Sequence, residues 1–226
     1  MINAAEVKNI TISLGAEECG IANVERFSEA PQGFHPTDIY NECKSVIAYI
    51  KSFPPEIITA NNPIPYTHSS NITFTELDHI GLELCRKLES KGVHGVMIPC
   101  DTPYEYWDAE KMRGMGILSM RHAGYLAGLG ILGKSTLLIN RRFGNMIYIG
   151  AVLTNIELKP DSLVTDLACP PNCRICLDTC PVNALDGTTV DQAKCRKNSM
   201  AKTGRDYDIY ICNNCRKNCA LRFGKK

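Results

Sequence analysis

CPPNCRICLDTCP, residues 169–181, sets Cys169, Cys173, Cys176 and Cys180 in one short run that ends on Pro181. Beyond it stand Cys195 and then CNNCRKNC, residues 212–219, with Cys212, Cys215 and Cys219. Eight of the twelve cysteines therefore lie beyond position 168, whereas Cys19, Cys43, Cys85 and Cys100 are scattered over the earlier chain. Thiols at such short spacing are brought together at little entropic cost, because the loops between them are small. With no export signal in front of them they read as metal ligands rather than disulfides. The four scattered cysteines read as small core hydrophobes.

The spacing is specific. C-x2-C-x2-C-x3-C-P holds [4Fe-4S] clusters in bacterial ferredoxins, and its fourth cysteine serves the other of the two clusters. Cys173, Cys176, Cys180 and Pro181 match that run, while three residues rather than two separate Cys169 from Cys173. Cys169 is thus the loosest member of the set. Proline disfavours the helical region for the residue before it, so Cys180 is expected to be extended and to turn its sulfur away from its neighbours. Val182–Leu185 is expected to open a short helix after it. Crossing the ligands as ferredoxins do assigns Cys169, Cys173, Cys176 and Cys219 to one [4Fe-4S] cluster. Cys180, Cys195, Cys212 and Cys215 fall to the other, and no thiol is left over. Tetrahedral zinc is the competing use of C-x2-C pairs; the C-x3-C-P continuation argues against it. Ala220 stands where a second run would carry proline.

The remaining composition sets the context. The chain has 226 residues, 44% hydrophobic and 22% charged, with a formal net charge of +1, an ordinary balance for a globular protein. No run approaches the roughly 18–20 apolar residues of a membrane span. The N-terminus lacks the basic-then-apolar order of a signal peptide, so a cytoplasmic protein is expected. From Lys194 onward ten Lys or Arg face two Asp. Such a tail suits RNA. It also suits an acidic redox partner, but two cubanes, each with a charge of about −2 including its thiolates, give local neutralisation as the preferred account.

Residues 1–160 carry mixed helical and alternating apolar patterns, so the expected class is α+β: a mixed α/β domain followed by a small cysteine-rich domain over 161–226. Helices are expected over Ala4–Leu14, Thr73–Ser90 and Met120–Leu129, the last stopping at Gly130. Strands are expected over Gly20–Val24, Ser45–Ile50, Val93–Ile98, Thr136–Ile139 and Met146–Thr154. AGLGILGKSTLLI, residues 127–139, concentrates Gly128, Gly130 and Gly133 before the donors Lys134 and Ser135. It satisfies G-x-x-x-x-G-K-[ST], yet a helical pattern precedes it and a strand-like run comes after, the reverse of a phosphate loop.

AGLGILGKSTLLIN (127–140), FGNMIYIGAVLTNIELKPD (143–161) and CRICLDTCPVNAL (173–185) together resemble the epoxyqueuosine reductase family and its double-cluster relatives. The corrinoid-dependent reductive dehalogenases share that general arrangement. The likeness is strong over 115–219 and weaker over 1–114. It implies a nitroreductase-like domain over 1–160 that holds cobalamin. A ferredoxin-like domain over 161–226 would relay electrons to it from a donor such as ferredoxin or flavodoxin. FMN is the lesser alternative, because nitroreductase-like folds are associated with it.

Met120, His122, Gly130, Gly133, Lys134 and Ser135 are the candidates for the cofactor wall, with Tyr125 beside them. His122 is a candidate acid or lower ligand, or simply a helix histidine held by backbone. Tyr104, Tyr106 and Trp107 either face a planar ligand or form an ordinary aromatic cluster, and Met112 and Met115 read as core. The family's D-x-x-P-x-x-E segment is replaced here by GMGILSM (114–120), which has neither carboxylate, and the chain ends seven residues after Cys219 without the family's helical extension. The likeness therefore implies that scaffold with another substrate, or with none. Two functions stand side by side: a corrinoid-linked reductase of an unknown small molecule, and a non-catalytic electron carrier serving a partner enzyme.

Overall fold

The structure, a computed structural model, describes residues 2–104, 106–110 and 113–225, and leaves out the side chains of Trp107 and Arg113. Met112 and the ring of Trp107 thus lie outside the described residues. Helix α1 (Ala4–Ser13) leads into strand β1 (Glu18–Asn23), a 3-10 turn (Val24–Phe27) and the one-turn helix α2 (Pro36–Ile39). Strand β2 (Ser45–Ser52), the 26-residue helix α3 (Ile64–Glu89) and strand β3 (Gly95–Ile98) follow. Next come the short pair β4 (Tyr106–Asp108) and β5 (Arg113–Met115), helix α4 (Met120–Leu126), the hairpin β6 (Ile131–Leu132) with β7 (Leu138–Ile139), and strand β8 (Ile147–Thr154). The cysteine-rich part holds α5 (Ile175–Asp178), α6 (Gln192–Ser199), the hairpin β9 (Met200–Lys202) with β10 (Asp208–Tyr210), and α7 (Asn214–Lys217).

The fold is mixed α/β. One antiparallel sheet, in the order β1-β2-β8-β3, organises it. β2 and β8 are covered on both faces, which is why they read as near-continuous apolar runs rather than alternating ones. α1 and α3 cover one face through Val7, Ile21, Ile47, Tyr49, Leu77, Leu84, Leu88 and Val152. α4 covers the other through Val46, Ala48, Ile50, Ala123, Ala127, Ile149 and Leu153. Each such aliphatic side chain contributes about 1.5–3 kcal/mol when fully buried. Cys43 and Cys85 belong to these two cores, as small hydrophobes. β3 pairs only with Ala151–Thr154 of β8, so the other end of β8 has an open edge on that side. The cysteine-rich part docks there: Arg216 donates to the carbonyls of Asn145 and Ile147.

Tyr49 threads between sheet and helix. Its hydroxyl donates to the Leu77 carbonyl of α3 at 3.1 Å. The ring passes where side chains at Gly150 and Gly81 would be: a Cβ on Gly150 would stand 2.4 Å from Tyr49 Cε2, and one on Gly81 2.5 Å from Tyr49 Oη.

Three expected boundaries move, each for a local reason. α4 stops at Leu126 rather than Leu129, because Gly128 adopts φ +75° and the amides of Gly128 and Leu129 return to the carbonyls of Tyr125 and Gly124. This is the paired-bond helix stop that a left-handed glycine permits. α3 starts at Ile64, well before Thr73, since Pro65 is tolerated in a first turn and Tyr66 and Ser70 face inward. Val182–Leu185 is not helical: Asn183 has φ +47°, its amide bonds to the Cys180 carbonyl, and the Ala184 amide points at Cys180 Sγ. The chain curls around that sulfur instead.

Asp161 joins the sheet to the cysteine-rich part. Its carboxylate accepts from the Ile21 amide and pairs with Lys8, and its carbonyl accepts from Arg26.

Substituting Gly150→Ala is expected to cost about 1–3 kcal/mol by overpacking against Tyr49. Tyr49→Phe, which removes one hydrogen bond, is expected to cost about 0.5–1.5 kcal/mol. Chemical denaturation of both variants checks the order; equal losses would show that the ring can shift aside.

Candidate functional site

The cysteine-rich part is built twice. Cys173-x2-Cys176 and Cys212-x2-Cys215 each open a one-turn helix, α5 and α7, and one further cysteine comes after each helix, Cys180 and Cys219. Those two change sides. Cys219 joins Cys169, Cys173 and Cys176 around one enclosed space. Cys180 joins Cys195, Cys212 and Cys215 around another. Asn214 Nδ2 donates to the Thr179 carbonyl at 3.3 Å and ties the two turns together where they cross. Among the described residues no three or more His, Cys, Asp or Glu side chains gather tightly enough for a single metal ion, the arrangement tetrahedral zinc needs.

Local chemistry holds each loop. The Cys173 amide returns to the Pro170 carbonyl at 3.0 Å, and Asn172 takes φ +59° to close that turn, which accommodates the extra residue after Cys169. Cys195 lies on α6, whose start is capped by the Asp191 side chain accepting from the Lys194 amide. Burial, together with neighbouring thiols, raises the pKa of Cys176 and Cys219, and burial pushes Cys215 up to about 11. These three thiols are therefore protonated at neutral pH, and a metal must displace their protons to bind.

A separate cleft of about 500 Å³ opens beside α4. Its apolar wall comes from Phe27, Pro31, Phe34, Met115, Leu118 and Leu126, and its polar groups are Arg26, Glu29, Ser119, His122, Tyr125 and Gln192. Arg26 is already engaged, donating to the carbonyls of Leu126 and Asp161 at 2.6 and 2.7 Å. His122 Nδ1 lies 2.7 Å from Ser119 Oγ, and burial first, then Arg121, lowers its pKa from 6.5. Gln192 begins α6 and accepts from the Gly114 amide at 3.2 Å, so the helix that carries Cys195 also forms one wall of the cleft.

The structure places the six residues expected to wall one cofactor site in different surroundings. His122 lines the cleft with Tyr125. Met120 projects to the other side of α4, into a cavity of about 180 Å³ that it shares with Arg121, Asn145 and Arg216. Lys134 and Ser135 line the first thiol space instead, where Lys134 Nζ donates to the Cys173 carbonyl at 2.8 Å. Gly130 and Gly133 are packed inside the β6–β7 hairpin, where a Cβ would stand 2.2 Å from the Ile139 carbonyl oxygen or 2.5 Å from Ile139 Cδ1. The cause is that hairpin: it folds back after α4 and carries the glycine-rich run away from the cleft. Tyr106 is exposed and bonds to Asp108, while Arg196 stacks over Tyr104. Sequence reasoning missed Arg26, Phe27, Phe34 and Gln192, which have no motif, and Gln192 is far along the chain from the other three.

No family model matches the chain. It is 26% identical over 251 residues to epoxyqueuosine reductase of Bacillus anthracis, covering 94% of this chain and 62% of that protein. Against the Staphylococcus aureus enzyme it is 31% identical over 127 residues, 52% of this chain and 33% of the relative. The chain thus spans about three-fifths of the length of the first of these curated relatives. Among solved structures, epoxyqueuosine reductase from Streptococcus thermophilus superposes with a TM-score of 0.67 at 18% identity, over 98% of this chain and 66% of that one. An epoxyqueuosine reductase bound to a modified tRNA-Tyr stem loop gives 0.68 at 19% identity, over the same 98% and 66%. A catabolic reductive dehalogenase gives 0.67 at 16% identity, over 96% of this chain and 31% of that one. In sequence along nearly its whole length, and in fold, the chain is a homologue of the epoxyqueuosine reductases.

Proposed function

We propose that the chain is an iron–sulfur oxidoreductase. Cys169, Cys173, Cys176 and Cys219 would hold one [4Fe-4S] cluster and Cys180, Cys195, Cys212 and Cys215 the other, in a ferredoxin-like domain over 161–226. Electrons from a small donor such as ferredoxin or flavodoxin would serve a corrinoid-type cofactor in a nitroreductase-like domain over 1–160. The observation that carries the reading is the exchange of Cys180 and Cys219 between two four-thiol spaces, because sending the last cysteine of the C-x2-C-x3-C-P run to the other site is the ligand pattern of two-cluster ferredoxins.

The cleft beside α4 supports the second half of the reading. Its size is within the range of cofactor and substrate pockets, and Phe27, Phe34 and Leu118 offer apolar surface to the face of a macrocycle. FMN fits less well, since a phosphate wants a free cation and Arg26 is committed to two backbone carbonyls. A corrinoid, when bound, supplies a strongly reducing cobalt centre. The protein's own part is then to exclude water and to manage a proton. His122, neutral at pH 7 with Nδ1 directed at Ser119, leaves Nε2 as the ring atom that takes or gives it. Gly114–Ser119 lines the same cleft without a carboxylate, which argues for a substrate other than epoxyqueuosine.

Part of the basic tail is occupied within the chain. Arg216 is buried, Arg222 donates to the Lys217 carbonyl, and Lys194 and Lys202 pair with Asp191 and Asp206. That pattern favours local neutralisation over an RNA surface. No helix among the described residues is long and apolar enough to cross a membrane.

Anaerobically reconstituted protein is expected to hold about eight iron and eight sulfide per chain. Cys173→Ser and Cys215→Ser should each lower that to about half, while Cys43→Ser keeps it whole; iron analysis with electron paramagnetic resonance (EPR) reads this out. Added cob(II)alamin should change to a protein-bound spectrum. A free-cobalamin spectrum would remove the corrinoid and leave an electron carrier. For His122, the folded pKa lies below its unfolded value of 6.5, so the unfolded chain binds a proton the folded one does not. The contribution to stability is therefore present above about pH 6.5 and lost as the pH falls. Denaturation midpoints at about pH 7.5 and 5.5 should differ less in His122→Asn than in the parent.

A further inference from the structure

The two thiol sets stand in unequal electrostatic surroundings. The second set has Arg121 among its lining residues and Arg216 next to Cys215 in the chain. Arg216 is 8% exposed. Its guanidinium donates to the Asn145 and Ile147 carbonyls and lies 5.1 and 5.0 Å from the ring centres of Phe53 and Tyr148. Arg121 donates to Thr136, to its carbonyl at 3.2 Å and its hydroxyl at 2.7 Å. Among the described residues neither arginine forms an ion pair with a carboxylate. Asp101 lines the small cavity between them, but the cation acting on it is Arg196. The first set has a single ammonium in its lining, Lys134, which is bound to the Cys173 carbonyl, and the arginine next to its Cys173 in the chain, Arg174, is exposed and paired with Asp178.

A guanidinium cannot shed its proton to escape burial. Among the described residues Arg216 is buried with no carboxylate beside it, so a nearby anion relieves it, and Arg121, which is exposed, faces the same small cavity and adds to the positive field there. We propose that Arg121 and Arg216 are fixed counter-charges of the second thiol set, holding a cluster on Cys180, Cys195, Cys212 and Cys215 at a higher reduction potential than one on the first set. The inference rests on reading both sets as cluster sites. A permanent positive field favours the added electron, so charge entering at the first set comes to rest at the second. The second set shares α6 with the cleft, which places the resting electron at the cleft's wall. Both arginines are positioning residues: they act on the clusters and touch no substrate.

The test is a redox titration of the anaerobically reconstituted full chain, followed by EPR. The parent should show two reduction waves. Cys169→Ser, which alters a ligand of the first set, identifies which wave belongs to that set. Arg121→Gln should lower the other wave by roughly 60 mV, a tenfold change in electron distribution between the centres, and leave the first in place. Arg216→Met should do the same and Arg216→Lys should restore it; if Arg216→Met does not fold, Arg121→Gln decides. Unmoved waves, or both waves moving together, would overturn the proposal while the clusters stand. Failure of the parent to bind two clusters would instead remove the underlying reading.

Discussion

The exchange of Cys180 and Cys219 is the constraint on which the rest of the architecture depends. The first loop gives three thiols locally and its last one across, and the second gives two, joined by Cys195 of α6, and its last one across, so neither half of the cysteine-rich segment can be completed alone. The loop at 169–180 and the loop at 212–219 must sit side by side, with α5 and α7 in contact and Asn214 bonded across. Once they do, Lys134 reaches the Cys173 carbonyl and Arg216 reaches the open edge of β8. The small segment, poor in apolar residues of its own, borrows its rigidity from the sheet at those two points.

The electrostatics are set by that docking. Arg216 is inserted between aromatic rings and backbone carbonyls where no carboxylate meets it, a costly placement unless the thiol set beside it carries negative charge. The same logic accounts for part of the chain's basic end. Arg216 is drawn inward, and Lys194 and Lys202 are paired with Asp191 and Asp206.

Much of this architecture is legible in the residues themselves. β2 and β8 announce themselves as apolar runs, and α1 has the periodicity of its buried face. The two cysteine runs can be divided by spacing because a short loop leaves few geometries open. Other features depend on contacts that no local pattern encodes. α4 ends early because Gly128 closes a two-bond stop, and from sequence Gly130 has equal claim. The glycine-rich run reads as a ligand wall, but its glycines allow close packing of a hairpin against Ile139. The cleft joins Phe27 and Phe34 to Gln192, residues from opposite ends of the chain. Arg216, one basic residue among ten in its segment, differs from the others only in being buried.

The contacts of Asp161 give the joint between sheet and cysteine-rich segment an unusual character. One residue bonds to β1, pairs with α1 and receives Arg26, which also holds the end of α4. A connection tied to three elements is a rivet and not a hinge. The chain thus leaves the sheet from a fixed point, and beyond it the cysteine-rich segment is held by its own contacts, Lys134 on the Cys173 carbonyl, Arg216 on the edge of β8 and Gln192 on the Gly114 amide.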